Sequence, residues 1–369
     1  MKKAGLALAL LLAVVLAIFE LPVFSLANAG PSYFPTNPKT LIVPDNYSTI
    51  QEAINNAADG DAVYVRRGVY VENPVINKSV LLVGEDRNST VLDVTAGLKV
   101  AANNVTVTGF TIYDGWQGIS VSGNCCNILG NKITDATNGI VLFGFGNNIT
   151  GNILISIGLS SAIQLNFAYR NLINNNYIDS CVEGIQIWQN SNNNTITENT
   201  ITNCKDTAIN FQYSNDNKIV GNNISRSGLG TSIYGSNRNN ISNNNYISNV
   251  VQFGANESYY LTFGHNRSIN NINGNYWSDY KGTDTNGDGI GDIPYIIDEN
   301  NNDSHPLMKA VSIPNSSVPV PSDTTIPDTT VSSNPAINPF LVILVVAVVA
   351  IASAGLLIYF KKYKDRKQS

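Results

Sequence analysis

The densest run of oxygen-bearing side chains in the sequence is Asp284-Thr285-Asn286-Gly287-Asp288-Gly289-Ile290-Gly291-Asp292. Oxygen side chains at positions 1, 3, 5 and 9 (Asp284, Asn286, Asp288, Asp292), a glycine at 6 and the Ile290 carbonyl at 7 match the opening of a calcium loop. Tyr295 stands where a bidentate glutamate would close such a loop, so Asp298, Glu299 or Asp303 would have to supply the last ligand. The expectation is a structural calcium ion; the alternative is a metal-free turn. Two carboxylate pairs also recur at regular separation, Asp114 with Asp135 and Glu183 with Asp206. If the chain coils once between the members of a pair, they lie ~5 Å apart, near the spacing of a retaining glycosidase's acids. Against catalysis, the two histidines, His265 and His305, lie outside this region, and Lys205 and Arg226 are the only bases nearby. Solvated turn carboxylates, or a weak ion site, are therefore the favoured reading. Gln164, Gln186, Trp188, Asn210, Gln212 and Tyr234 form a third group. Amides bond sugar hydroxyls in either sense and an indole stacks on a pyranose face, so these residues suit a neutral glycan. Otherwise Trp188 packs under a turn beside Tyr169 and Tyr213.

These groups meet only if the backbone brings distant segments together, and a repeat provides the means. From Val107 onward one phrase recurs: an apolar residue, two residues, Asn, one residue, an apolar residue, then a small residue followed by Ile. Its first apolar positions are Val107, Ile128, Ile149, Ile173, Ile196, Ile219 and Ile241, in steps of 21, 21, 24, 23, 23 and 22 residues. Small-Ile pairs keep pace at Gly118-Ile119, Gly139-Ile140, Ala162-Ile163, Gly184-Ile185, Ala208-Ile209 and Ser232-Ile233. Apolar residues alternate at period two in short bursts, which is strand behaviour, and no long stretch at period 3.6 appears. One coil of short strands per repeat makes a single-stranded right-handed parallel β-helix, an all-β solenoid.

Stacked coils then define columns. Asn131, Asn152, Asn176, Asn199, Asn222 and Asn244 fall in one, and Asn147, Asn171, Asn194, Asn217 and Asn239 in another, so each amide can bond its vertical neighbours. On the outer side, one column reads Ser120, Val141, Gln164, Gln186, Asn210, Tyr234, and its neighbour Ser122, Phe143, Asn166, Trp188, Gln212, Ser236. Cys181 and Cys204 share an inward slot with Ala136, Ile157 and Ser227, as a buried thiol stack or an inter-coil disulfide. At the start, Ser48 to Gln51 reads as a capping box, with Ile50, Ala53, Ile54 and Ala57 on one apolar helical face that lids the first coil.

The run Thr49 to Ile54, then Gly60 to Val65, then Gly68 to Glu72 resembles the opening of pectin-lyase-like β-helix proteins. The coils, with the ending Gly274 to Tyr280 and Asp284 to Pro294, resemble the NosD-like family. That resemblance implies a right-handed parallel β-helix over roughly residues 40 to 310. It implies kinship with carbohydrate-binding and sugar-hydrolysing β-helices, and with a periplasmic protein linked to copper-site assembly. Copper sites need clustered His, Met or Cys thiolate. The mature chain offers two His, Met308 and four dispersed Cys with no pair at ligand spacing, so no copper is expected here.

The expected organisation is a signal peptide at 1–29, a β-helix at 40–274 with a capping helix at about 48–58, and a C-terminal cap at 275–312. A Pro/Ser/Thr stalk at 313–338, a transmembrane helix at 339–360 and a basic cytoplasmic tail at 361–369 follow. About a dozen Asn-x-Ser/Thr sequons, Asn46, Asn77, Asn148, Asn223, Asn240 and Asn315 among them, suit an extracellular glycoprotein. A net charge of −5, with only 13 % charged residues and no basic stripe, disfavours nucleic acid. The reading is a membrane-anchored cell-surface protein that binds neutral polysaccharide or a surface glycoprotein without catalysis. The alternatives are a surface polysaccharide lyase or hydrolase using the stacked carboxylates and, from the family resemblance alone, an accessory role in metalloenzyme assembly.

Overall fold

A computed structural model describes residues 38–254 and 268–313. The signal segment, His265, Asn315, the stalk beyond residue 313, the apolar stretch of residues 340–360 and the basic tail lie outside the described residues. Among the described residues no helix is long and apolar enough to cross a membrane.

The described residues wind as a right-handed solenoid whose coils lay three strands each into three sheets, of 13, 10 and 9 strands among those residues. Among the described residues every strand pairing is parallel except that between Tyr295–Ile296 and Asn302–Asp303. The first sheet carries the repeat's leading apolar residue. Val107, Ile128, Ile149, Ile173, Ile196, Ile219, Ile241 and Ile272 are register partners in one unbroken file, and the first seven are fully buried. Such a file forms because a β-branched side chain packs on its image one coil below, ~4.8 Å away.

Each corner turns on a residue in the left-handed region, followed by one facing inward. Gly130, Gly151, Asn175, Glu198, Gly221, Asn243 and Gly274 all have φ between 51° and 69°. The inward residues they precede are Asn131, Asn152, Asn176, Asn199, Asn222, Asn244 and Asn275. In this ladder Asn199 is typical. Its Nδ2 donates to the Ile173 carbonyl and to Asn222 Oδ1, both at 2.9 Å, while its Oδ1 accepts the N–H and Nδ2 of Asn176. A second ladder runs from Asn147 through Asn171, Asn194, Asn217 and Asn239 to Asn270 and Asn301. Beside it runs a serine file that the repeat phrase does not announce, in which Ser191, Ser214, Ser236 and Ser268 accept from backbone amides one coil away.

The small residue of each small-Ile pair has a steric cause. A Cβ on Gly184 would lie 2.4 Å from the Ala208 carbonyl oxygen and 2.6 Å from Ile201 Cγ2, so this coil needs glycine at the first of its two inward positions, while the neighbouring coils hold the smallest side chain, at Ala162 and Ala208. In the coil after Ala208 that position is Gly230, not Ser232: Ile209 pairs with Thr231 and Gln212 with Tyr234. Thr231 takes the inward place of an isoleucine because its hydroxyl bonds the buried Tyr246 hydroxyl at 2.9 Å. The expected pair Ser232-Ile233 is therefore displaced by two residues, which moves Tyr234 from the Asn210 column into that of Gln212.

The lid is a helix, Ile50–Asn56, whose N-cap is Thr49, accepting from the Glu52 amide, and not Ser48. The Glu72 carboxylate accepts the amides of Ile50 and Gln51 at 2.9 and 3.0 Å, tying the helix onto the first coil. At the far end the first asparagine ladder stops on Asp303, fully buried. This carboxylate accepts from the amides of Gly274, Asn275 and His305, from Asn275 Nδ2 and from Trp277 Nε1. Tyr246, Trp277 and Tyr295 stack above it at 4.4 and 4.3 Å and fill the last coil.

Candidate functional site

The outer face of the third sheet gathers the amide and aromatic group. Because Gly184 and Ile185 both point inward, the residue before them points away from the core, and three columns result on that side, although Asn138, Ser161, Thr207, Val141 and Asn210 within them are covered. The first holds Gln117, Asn138, Ser161, Glu183, Thr207 and Leu229, and the second Ser120, Val141, Gln164, Gln186, Asn210 and Ser232. The third holds Asn166, Trp188, Gln212 and Tyr234. Trp188 and Gln212 are half-buried, Tyr234 is nearly covered and its hydroxyl lies 2.8 Å from that of Tyr213. Phe143, Phe145, Phe167, Tyr169 and Tyr213 stand exposed along the same margin, with Phe145 and Tyr169 stacked at 5.2 Å.

Hydrogen bonds orient the central amides. Gln164 Nε2 donates to Gln186 Oε1. Glu183, half-buried, accepts from Ser161 Oγ and from Asn210 Nδ2, each at 3.0 Å. Burial raises the Glu183 carboxyl above its ordinary value. The bonds from Asn210 and Ser161 oppose that shift, and the Asp206 charge adds to it.

The carboxylate pairs behave differently from one another. Asp114 and Asp135 do stack, but at a corner, both exposed with φ of 64° and 60°. Their column continues as Ser156, Ser180, Asn203, Arg226 and Ser248, all left-handed and exposed, so its common feature is backbone conformation. Glu183 and Asp206 are not a simple column. The Cys181 carbonyl accepts from Lys205 and the Val182 carbonyl from Asp206, whereas Ile209 lies over Ile185. One extra residue therefore enters the later coil, setting both Asp206 and Thr207 opposite Glu183. Thr207 takes the buried place and Asp206 is exposed.

In the acidic loop, Asp284 accepts the amides of Gly287, Asp288 and Gly289. Asp292 accepts the hydroxyls of Thr283 and Thr285 and the Thr285 amide, which hold it below the usual carboxylate range. Asp288 accepts the Ile290 amide and a bond from Asn286 Nδ2. The loop thus wraps its amides around its own oxygens. Cys181 and Cys204 stack as free, buried thiols; burial pushes Cys181 up to about 12 and Cys204 upward as well.

The family model of the periplasmic copper-binding protein NosD matches residues 45–282. The described residues do not fit a copper site. They hold no group of three His, Cys, Asp or Glu side chains placed for a metal, the Cys181 and Cys204 thiols are buried and protonated, and His305 Nδ1 is bonded to Asn273 Oδ1 at 2.7 Å. No curated protein matches the chain. Among solved structures, the A-module of a mannuronan C-5 epimerase from Azotobacter vinelandii is similar at 14 % identity and a TM-score of 0.43, over 62 % of this chain and 81 % of its own. An alginate lyase from Paenibacillus sp. str. FPU-7 is similar at 14 % identity and a TM-score of 0.36, over 64 % of this chain and 95 % of its own. From the family match over residues 45–282, with the coils it covers, the chain belongs to the NosD family of parallel β-helix proteins.

Proposed function

We propose that this protein recognises a neutral glycan on the outer face of its third sheet, without catalysis, as a membrane-anchored ectodomain at the cell surface. The observation that carries the reading is the third-sheet strip. Half-buried Gln164 and Gln186 and nearly covered Asn210 lie side by side over successive coils, next to half-buried Trp188 and Gln212 and beside a line of exposed aromatic rings. Amides satisfy hydroxyls, aromatic faces cover the apolar side of a sugar ring, and Glu183 is the one carboxylate among the strip's own columns. Binding of the full chain to an array of neutral and acidic polysaccharides tests this. Neutral ligands retained by the wild type and lost on Trp188→Ala support it, and an array with no ligand refutes it.

The anchor rests on the apolar stretch of residues 340–360 followed by Lys361, Lys362, Lys364, Arg366 and Lys367. The acidic loop is the proposed seat of a structural calcium ion, which would be held by Asp284, Asn286, Asp288, the Ile290 carbonyl and Asp292 once these carboxylates, which do not converge, turn from the loop's own amides. Chelation with EDTA lowers the melting temperature of the full chain if the ion is bound, and an unchanged melt removes it.

One observation favours a second reading. A half-buried carboxyl with a raised pKa, as in Glu183, is the form in which a general acid works. A lyase or hydrolase would release reducing ends from a polysaccharide panel, and would lose that release on Glu183→Gln.

A further inference from the structure

The strip contains a fixed polarity. An ionised carboxylate has no proton to donate, so a side-chain amide bonded to it must turn its NH2 inward and its oxygen outward. Glu183 does this to Asn210, whose Nδ2 lies 3.0 Å from Glu183 Oε1. Ser161, on the coil before, holds the other carboxylate oxygen at 3.0 Å, so Glu183 is braced from both sides. Asn210 is nearly covered, and among the described residues nothing donates to its Oδ1. One coil earlier, Gln186 receives Gln164 Nε2 on its oxygen, which leaves the Gln186 amide hydrogens for the outer face. Gln186 and Asn210 are register partners, so a donor and an acceptor stand ~4.8 Å apart along the solenoid axis. Neighbouring hydroxyls of a sugar ring satisfy such a pair, one accepting and one donating.

We propose that Glu183 is a positioning residue that sets the Asn210 amide, making this part of the strip a polarised site for a vicinal diol that excludes carboxylate-bearing sugars. The proposal rests on the glycan reading and names its ligand chemistry. An acceptor backed by a half-buried negative charge repels a uronate carboxylate, whereas a hydroxyl donates to it. The titratable group acting on Glu183 is Asp206 in the following turn, and Glu183 in turn adds to the upward shift that burial gives the Cys204 thiol. Asp206 reinforces the negative field. Protonation of Glu183 reverses the constraint, because a carboxylic acid can donate to Asn210 Oδ1 and release the amide hydrogens outward. The preference for neutral over uronate glycans then weakens in acid.

The test uses the full chain in detergent micelles with two readouts. The first needs no ligand: the Asn210 side-chain amide signals, followed by NMR from about pH 7 to about pH 4 across the ordinary carboxylate range, shift with one titration that is absent in Glu183→Gln. The second is the ratio of neutral-glycan to uronate-glycan binding. We expect it to fall by about ten-fold in the Glu183→Gln variant and, for wild type, at the acid end of the range. A flat Asn210 titration, or a ratio unchanged by Glu183→Gln while Trp188→Ala still abolishes binding, overturns the positioning role and leaves the glycan reading standing. Absence of any glycan binding together with a flat titration overturns both.

Discussion

Asn199 sits between two neighbours and answers to both, so its replacement propagates. Asn199→Ala leaves the Asn176 N–H buried without its partner and takes one bond each from the Ile173 carbonyl and from Asn176 Nδ2, which keeps the Ile149 carbonyl. At ~1–3 kcal/mol for the orphaned group, the expected loss exceeds that of an ordinary surface change several-fold and shows as a lowered urea midpoint. Glu183 gives a residue-scale prediction of opposite sign. Its folded pKa is raised, so the stability that its protonated form contributes is complete below the unfolded glutamate value and lost as pH rises through the folded one. Glu183→Gln should therefore raise the melting temperature at neutral pH and leave it nearly unchanged in acid; an equal effect at both would contradict the burial argument. The asparagine files were legible beforehand because an inward Asn at every coil leaves a fixed-period mark. The serine file was not, since Ser191, Ser214 and Ser236 are unremarkable among so many polar turn residues. Nothing in the sequence distinguishes Thr49 from Ser48 as the helix cap; only the course of the backbone does.

At the scale of the element, a ladder is stable only if it ends well. The first ladder ends on Asp303, whose two oxygens collect five donors in a dry environment. Asp303→Asn turns an NH2 group onto those donors. Hydrogen bonds to a charged group contribute about 1.5–3 kcal/mol each, so the loss is expected to loosen the last coil. Hydrogen exchange should rise in residues 271–277 and stay unchanged near Ile128; uniform exchange across the solenoid would deny Asp303 its terminating role. The elements also show where sequence columns fail. The leading isoleucines kept register because each is the inward residue of a three-residue strand. The third-sheet columns slipped twice, where a residue enters between Lys205 and Ala208 and where Thr231 replaces an isoleucine. In the second place a tertiary contact overrode the phrase, Tyr246 bonding Thr231; in the first, the extra residue leaves Thr207 buried and Asp206 exposed.

Across the whole molecule, the same coil-on-coil repetition that builds the core also sorts the surface. The corners spend their Asp, Asn and Ser residues on left-handed backbone, which is why Asp114 and Asp135 stack without forming a site. The third sheet, with its longest strands of six residues, is where outward side chains line up over several coils, and there amides and aromatic rings accumulate. The measurement that bears most directly on this account is glycan binding by the full chain compared with two single variants on different faces. Trp188→Ala on the third sheet should weaken binding to a neutral polysaccharide by about ten-fold or more. Lys218→Ala on the outer face of the first sheet should leave it unchanged. Equal binding by all three proteins would contradict recognition on the third sheet.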